Sequence, residues 1–202
     1  MGLDITVLIV DRAWLTRVPS RERLPRLRSA WYADETGLWG HDAPTGAEGW
    51  AWPQGPNGSR FAVYEFRNTL GSFTAHFWAG RRWERVRGHL DAELRAGLDS
   101  LLSGLFWEGP DGEAEHTETA LFGEDGHGVL LARSPEHVRE LAATWDRAHP
   151  HLDRMREPFA EHVSVPDGWV PDIDAFVDLL TQWGHVLTEA ARRGWCLVGL
   201  SE

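Results

Sequence analysis

The strongest hydrophobic pattern in the chain comes near the end of its sequence. Apolar residues recur at steps of three and four along 173–193, which predicts an amphipathic helix with one apolar face. Asp172 stands where a short carboxylate caps the start of a helix, and Gly194 stands where a left-handed residue commonly ends one. The apolar run 196–200 then predicts a strand that is buried on both faces and covered by this helix.

The same kinds of periodicity predict the remaining elements of the chain. A helical repeat of apolar residues indicates helices, and alternation or a short β-branched run indicates strands. The predicted strands are residues 3–10, 61–67, 73–79, 128–132 and 196–200. The predicted helices are residues 20–33, 83–105 with a break near Gly88, 134–147 and 173–193.

A β-hairpin is predicted over 61–79, because two alternating segments flank the turn-forming sequence 68–72. Alternation sorts the side chains onto the two faces of the hairpin. The aromatic side chains expected on its buried face are Tyr64, Phe66, Phe73 and Phe77. The residues of interest on its opposite face are Glu65, Arg67, His76 and Trp78.

The segment 34–60 is rich in glycine and proline and shows no periodicity. It exceeds the usual upper length of a structureless loop, about 12–15 residues, so it is either functional or contains short elements. Its three tryptophans are Trp39, Trp50 and Trp52. Large amphipathic rings in such a loop serve either as binding anchors or as a plug for a small core beneath the loop, and the sequence leaves both possibilities open.

Together these elements predict an α/β (α+β) fold, in which a mixed β-sheet has helices packed mainly on one face. The chain of 202 residues has the length of one domain, and its 42% of apolar residues suffices for a core. We therefore expect residues 1–202 to form a single domain.

The net charge limits the expected partners of the chain, and its cysteine and lysine content limits the expected chemistry. The formal net charge of -11 disfavours binding to nucleic acid and to anionic membranes. All 20 basic residues are arginine, which excludes chemistry that needs a lysine ammonium, such as Schiff-base catalysis. The single cysteine, Cys196, lies in the terminal apolar run, where a buried core thiol is expected. We expect a cytoplasmic protein that is a monomer or a homodimer.

Three pieces of the sequence resemble the YfbM-like family of uncharacterised bacterial proteins. They are Met1–Gly2 followed directly by a strand, the strand-to-helix sequence 131–141, and the helix end 187–194 leading into the last strand. The resemblance implies an α/β fold for this chain. It implies no particular activity, because the family has no settled one.

Glu65 and His76 are the best candidates for acid–base catalysis. The predicted hairpin would place them on the same face of two paired strands, roughly 5–8 Å apart. A carboxylate beside an imidazole raises its basicity and orients it. Arg67 could then hold an anionic substrate, and Trp78 could form a wall of the pocket. The same residues also fit an ordinary surface cluster on a sheet, so both interpretations stay open.

No metal or cofactor is predicted. The acidic residues between 108 and 127 are candidates for binding a divalent cation, but they lack the fixed spacing and the turn glycine of a calcium-binding loop. A solvated acidic connection is the alternative interpretation of this stretch.

Two functional hypotheses follow. The first is a non-catalytic binding protein for a small ligand or for a basic protein partner, as an immunity or antitoxin-like protein would be. The second is a small-molecule hydrolase or transferase that uses Glu65 and His76 as its acid–base pair. The residues expected to bind a ligand are Trp39, His41, Trp50, Trp52, Arg67 and Trp78.

Overall fold

The computed structural model describes residues 3–39, 47–109, 118–123, 127–163 and 168–201. The strands within these ranges are β1 (Thr6–Val10), β2 (Trp50–Ala51), β3 (Phe61–Tyr64), β4 (Val129–Arg133) and β5 (Cys196–Leu200). The α-helices are α1 (Arg12–Leu15), α2 (Ser20–Trp31), α3 (Thr74–Val86), α4 (Ala92–Ser103), α5 (Thr119–Phe122), α6 (Pro135–Ala148), α7 (Arg156–His162) and α8 (Ile173–Arg193).

The five strands form one sheet in the order β2-β3-β1-β5-β4. All pairings between these strands are antiparallel, whereas a mixed sheet was expected from the sequence. Continuously apolar strands are usual in parallel sheets because helices cover both faces. Here helices cover both faces of an antiparallel sheet, which produces the same apolar runs. The predicted single-domain α+β class is confirmed.

Alternate residues of the central strand β1 enter two separate cores. Val7 and Ile9 belong to the larger core, which the sheet shares with α3, α4, α6, α7 and α8. Leu8 and Val10 belong to a smaller core beneath α1, α2 and α5. The helices therefore lie mainly on one face, as predicted, while a second and thinner layer covers part of the other face.

The last helix and strand match their prediction. The Asp172 carboxylate accepts a hydrogen bond from the Ala175 amide at 2.8 Å, and Gly194 ends α8 with a left-handed φ of 65°. Leu197 and Val198 of β5 are fully buried. In the part of the chain that the structure describes, no helix combines the length and the apolar character needed to cross a membrane.

The second strand of the predicted hairpin is wrong, because residues 74–86 form the helix α3. Threonine and aromatic residues favour strands, so a short window around Phe77 looks extended. The buried positions of this segment nevertheless follow a helical stripe that continues to Trp83 and Val86. Four aromatic residues were expected on the inner face of the hairpin. Of these, Tyr64 alone is fully packed in the core, and Phe77 is 50% exposed.

The long segment 34–60 contains short elements in its described part. Short 3₁₀ helices cover Asp34–Thr36, Ala47–Gly49 and Gly55–Ser59, and β2 adds an edge strand to the sheet before the last of them. The buried Thr36 links the first 3₁₀ helix to the residues that precede the last one, because its backbone carbonyl accepts a hydrogen bond from the Gln54 amide at 2.8 Å. This connection fixes the beginning of the segment against the sheet.

Candidate binding pocket

A pocket of about 440 Å³ opens on the thinly covered face of the sheet. Its floor is formed by Thr6 of β1, Ala51 of β2 and Val63 of β3, which all point to the same side. The volume lies within the range of small-molecule sites, roughly 300–1,000 Å³. The pocket exists because the helices of this layer stop short of the strand ends.

An aromatic stack forms one wall of the pocket. Trp31, the last residue of α2, and Trp39 both line it, with ring centroids 5.5 Å apart. Tyr32 stacks on both rings, at 4.8 Å from Trp31 and 5.0 Å from Trp39. Trp39 remains 54% exposed although its indole Nε1 donates a hydrogen bond to the Trp31 carbonyl at 2.9 Å. The stack thus presents a large, fixed and solvent-accessible ring surface.

The position of Trp39 is set by the turn that precedes it. The Thr36 hydroxyl donates to the Ala33 carbonyl at 2.8 Å and accepts from the Leu38 amide at 3.3 Å. Gly37 adopts a left-handed φ of 68°, a conformation that glycine reaches without steric cost. Because Thr36 is fully buried, this turn is anchored in the protein and holds the aromatic wall in place.

The opposite rim is a strained turn between β3 and α3. Thr69 is buried, donates from its hydroxyl to the Phe66 carbonyl at 3.1 Å and accepts from the Gly71 amide at 3.3 Å. The Gly71 carbonyl accepts a hydrogen bond from the Ile5 amide at 2.8 Å, which ties the turn to the start of β1. Leu70 at the tip is 88% exposed and has a φ of 52°. A bulky residue in this conformation costs about 1–3 kcal/mol, so the turn holds strain at the edge of the pocket.

Glu65 is the one charged residue among the described residues that line the pocket. Its backbone amide donates to the Gly49 carbonyl at 2.8 Å, which fixes the main chain beside β2. No residue in the described ranges forms an ion pair or a hydrogen bond with its carboxylate. Burial raises the pKa of the adjacent Tyr64 to about 12, so that phenol stays neutral at pH 7. The pocket therefore combines aromatic surface with a single negative charge.

His76 is packed in the larger core and does not line the pocket. Both of its ring nitrogens are buried and lack a hydrogen-bond partner among the described residues. Burial disfavours the charged ring and lowers the pKa of His76 to about 4. The aromatic rings whose centroids lie 5.1–5.8 Å from the His76 ring belong to Phe66, Phe73, Phe106 and Trp183.

The structure does not place Glu65 and His76 together as the predicted hairpin required. Glu65 follows β3 and faces the pocket, whereas His76 lies on α3 inside an aromatic cluster. A neighbouring carboxylate would raise the pKa of the imidazole, but burial lowers it. The proposed acid–base pair has therefore lost its geometric basis.

The other predicted site residues fall in different places. Trp50 is 7% exposed and packs in the larger core, with its ring centroid 4.9 Å from that of Tyr64. Arg67 pairs with Asp178 of α8 at 2.9 Å and does not line the pocket. Trp78 lies on the exposed side of α3, and His41 lies outside the described residues.

Trp52 belongs to a separate arrangement of rings and charge. Its ring centroid lies 6.3 Å from that of Trp195, and the Arg193 guanidinium is 4.1 Å from Trp52 and 4.9 Å from Trp195. Glu189 accepts a hydrogen bond from Arg193 Nε at 2.6 Å. Of the three loop tryptophans, Trp39 thus forms part of a pocket wall, Trp50 packs in the core and Trp52 contacts an arginine.

Neither the acidic stretch nor the cysteine adds a second described site. Residues 111–117 and 124–126 lie outside the described ranges, while the Glu118 carboxylate accepts from the Ser134 amide at 2.9 Å. Within the described part of the chain, no three His, Cys, Asp or Glu side chains are arranged to hold a metal ion. Cys196 is buried as predicted, and burial raises the pKa of its thiol to about 12, so it is no nucleophile at neutral pH.

Sequence reasoning identified Trp39 and Glu65 but missed the rest of the pocket. The sequence predicts that Thr6 and Val63 lie in strands. It does not indicate that their side chains border an open pocket instead of a covering helix. Leu70 carries no signal for a left-handed conformation, because glycine or asparagine is the usual residue there.

Comparison of the chain with protein-family models, with curated proteins and with solved structures found no match. The resemblance to the YfbM-like family therefore stays a prediction. The candidate function has to be argued from the geometry of the pocket.

Proposed function

We propose that this protein is a non-catalytic binding protein for a small molecule, and that the pocket beside Trp39 is its binding site. The observation that carries the proposal is a concave site of about 440 Å³ with a preformed aromatic wall. Ligand sites are commonly concave, mostly apolar and supplied with few polar groups. The solvent-accessible ring of Trp39 supports binding, because a ring that served only the core would be buried.

The pocket favours a small ligand over the basic protein partner that the net charge of -11 also allows. Protein interfaces generally bury broad surfaces of about 800 Å² on each partner, whereas this site is a single cavity. The hydrolase or transferase alternative has less support, because Glu65 lines the pocket without a second ionisable group from the described residues.

A fragment screen observed by NMR tests the proposal. Soluble cations, neutral compounds and anions are added to ¹⁵N-labelled protein, and the indole N–H signals are followed. We expect binders to shift the Trp39 indole together with the amides of Thr69 and Gly71, which lie across the pocket. Trp39→Ala should abolish these shifts at Thr69 and Gly71.

Trp78 offers a matched control for this screen. It is the other tryptophan among the exposed large side chains, at 37%, and it does not line the pocket. Trp78→Ala should leave fragment binding unchanged. Shifts that scatter over the surface, or that survive in Trp39→Ala and vanish in Trp78→Ala, would contradict the proposed site.

A further inference from the structure

Several tryptophans of this protein carry an arginine over their ring. The guanidinium carbon lies between 4.1 and 5.9 Å from the ring centroid in these pairs. The tryptophans concerned are Trp14, Trp52, Trp78, Trp107 and Trp195. A cation over an aromatic face is stabilised by the negative potential of the ring. Arginine side chains of this protein thus lie over several of its indole rings.

Arg193 shows the complete form of this arrangement. Its guanidinium group contacts the rings of Trp52 and Trp195, and its Nε donates to the Glu189 carboxylate. Two aromatic rings and one carboxylate therefore hold one organic cation. Hydrogen bonding to Arg192 and then to Arg193 lowers the pKa of Glu189 to about 2, which keeps that carboxylate charged.

The pocket offers the same groups without the cation. Trp31 and Trp39 supply two rings, and Glu65 supplies a carboxylate that has no partner within the described ranges. None of the described arginines lies over either ring, although Trp39 is 54% exposed. The net charge of -11 further favours the approach of a cation over that of an anion.

We propose that the pocket binds a small organic cation, an ammonium or guanidinium group attached to an apolar body. The charged group lies beside Glu65, and the apolar body packs against Trp31, Trp39 and the floor of the sheet. This inference rests on the proposed binding function, since it names the chemical class of the ligand for the same pocket. It predicts a preference for positive charge that is larger than the aromatic wall alone would produce.

Three probes with the same apolar body test the charge preference. Phenylbutylamine is a cation at pH 7, phenylbutanol is neutral and phenylbutyrate is an anion. Isothermal titration calorimetry should show that the amine binds about tenfold more tightly than the alcohol, because a cation–ring contact and a nearby carboxylate both favour the ammonium group. Phenylbutyrate should bind most weakly of the three.

Glu65→Gln should reduce the preference for phenylbutylamine over phenylbutanol to about threefold, because the contact with the rings remains, and it should leave the affinity for phenylbutanol unchanged. Glu65 is exposed, so the variant is expected to fold, and its thermal unfolding curve checks this. Glu35→Gln is the matched control, because it removes one exposed negative charge four residues before Trp39 in the sequence, from a residue that does not line the pocket. It should keep the preference for the amine.

The outcomes separate this inference from the proposed function. Equal affinities of wild-type protein for the amine and the alcohol would overturn the inference and leave the pocket as a neutral binding site. A preference for the amine that stays at its wild-type size in Glu65→Gln would overturn it as well. If none of the probes binds while other fragments still shift the Trp39 indole, only the cation inference fails. If no fragment shifts that signal, the proposed function fails with it.

Discussion

On one face of the sheet, α3, α4, α6 and α8 pack into a continuous core, whereas α1, α2 and α5 cover the other face only in part. The first face is filled by large rings such as Trp83 and Trp183, both fully buried. The second face ends at Trp31, beyond which the strand ends and the turn with Leu70 border an open pocket.

The difference between the two faces shows how this fold separates a close-packed core from an open pocket. We call the face covered by α3, α4, α6 and α8 the closed face, and the other the open face. Side chains in a close-packed core tolerate little change in volume, so the closed face is expected to contribute most of the stability. An incomplete layer leaves apolar surface on a rigid sheet, and such surface is suited to a ligand. Substitutions on the closed face should therefore change the free energy of unfolding far more than substitutions around the pocket.

The largest effect is expected where Gly184 of α8 packs against Trp145 of α6. A Cβ atom at Gly184 of α8 would overlap the indole ring of Trp145 on α6. Gly184→Ala should therefore lower the free energy of unfolding by about 2–3 kcal/mol, because an overpacked core has to shift. Urea denaturation followed by circular dichroism measures the change.

Gly97 of α4 provides the control for the same substitution. A Cβ atom there would lie 4.0 Å from the Cβ of Ala148, which is an ordinary contact. Gly97→Ala should raise the free energy of unfolding by up to about 1 kcal/mol, because alanine favours a helix over glycine. Equal responses of the two variants would mean that the closed face is not tightly packed between α6 and α8.

A smaller effect on the closed face depends on pH. Burial holds the pKa of His76 at about 4 in the folded protein, below its ordinary value of 6.5. As the pH falls below 6.5 the unfolded chain takes up a proton that the folded protein does not, so stability is lost down to about pH 4. This residue alone should cost about 2 kcal/mol between pH 7 and pH 5.

His76→Leu should remove this part of the pH dependence, because it replaces the buried ring by an apolar side chain. Urea denaturation of wild-type and variant protein at pH 7 and pH 5 measures the difference. His185→Gln, at an exposed position of α8, should keep the wild-type dependence. The same acid sensitivity in His76→Leu would show that the ring is not neutral and buried in the folded state.

The smallest effect, and one of opposite sign, is expected at the rim of the pocket. Leu70 is exposed and left-handed, so its side chain contributes strain and little packing. Leu70→Gly should raise the free energy of unfolding by about 0.5–1 kcal/mol, since glycine adopts this backbone conformation freely. Leu70→Ala, which keeps the strain, should stay close to wild type. Destabilisation by Leu70→Gly would show that the turn packs as the closed face does.

The closed face was predictable from the sequence where local rules decide the structure. Helix α8 was predicted with its bounds, because a cap at Asp172, a helical stripe and a terminal Gly194 all lie within one segment. Helix α3 was mistaken for a strand because the β-favouring residues of 73–79 were judged without the helical stripe beyond them. A longer window that includes Trp83 and Val86 would have favoured the helix.

The open face was predictable only residue by residue. Trp39 is a candidate because it is an aromatic residue in a glycine-rich loop, whereas Glu65 is a candidate only as the predicted partner of His76 on a hairpin whose second strand is the helix α3. Their meeting in one pocket depends on the pairing of β2 with β3 and on the left-handed Leu70. Neither follows from local propensity, since tertiary contacts select both.

The antiparallel pairing of β1 with β5 also decides when the sheet can form. Leu8 pairs with Val198, so the two central strands come from opposite ends of the described chain. During synthesis, β1 leaves the ribosome long before β5 does, and contacts over such a separation in sequence close slowly. The centre of the sheet therefore forms only after β5 has been synthesised, although β1 is made long before it.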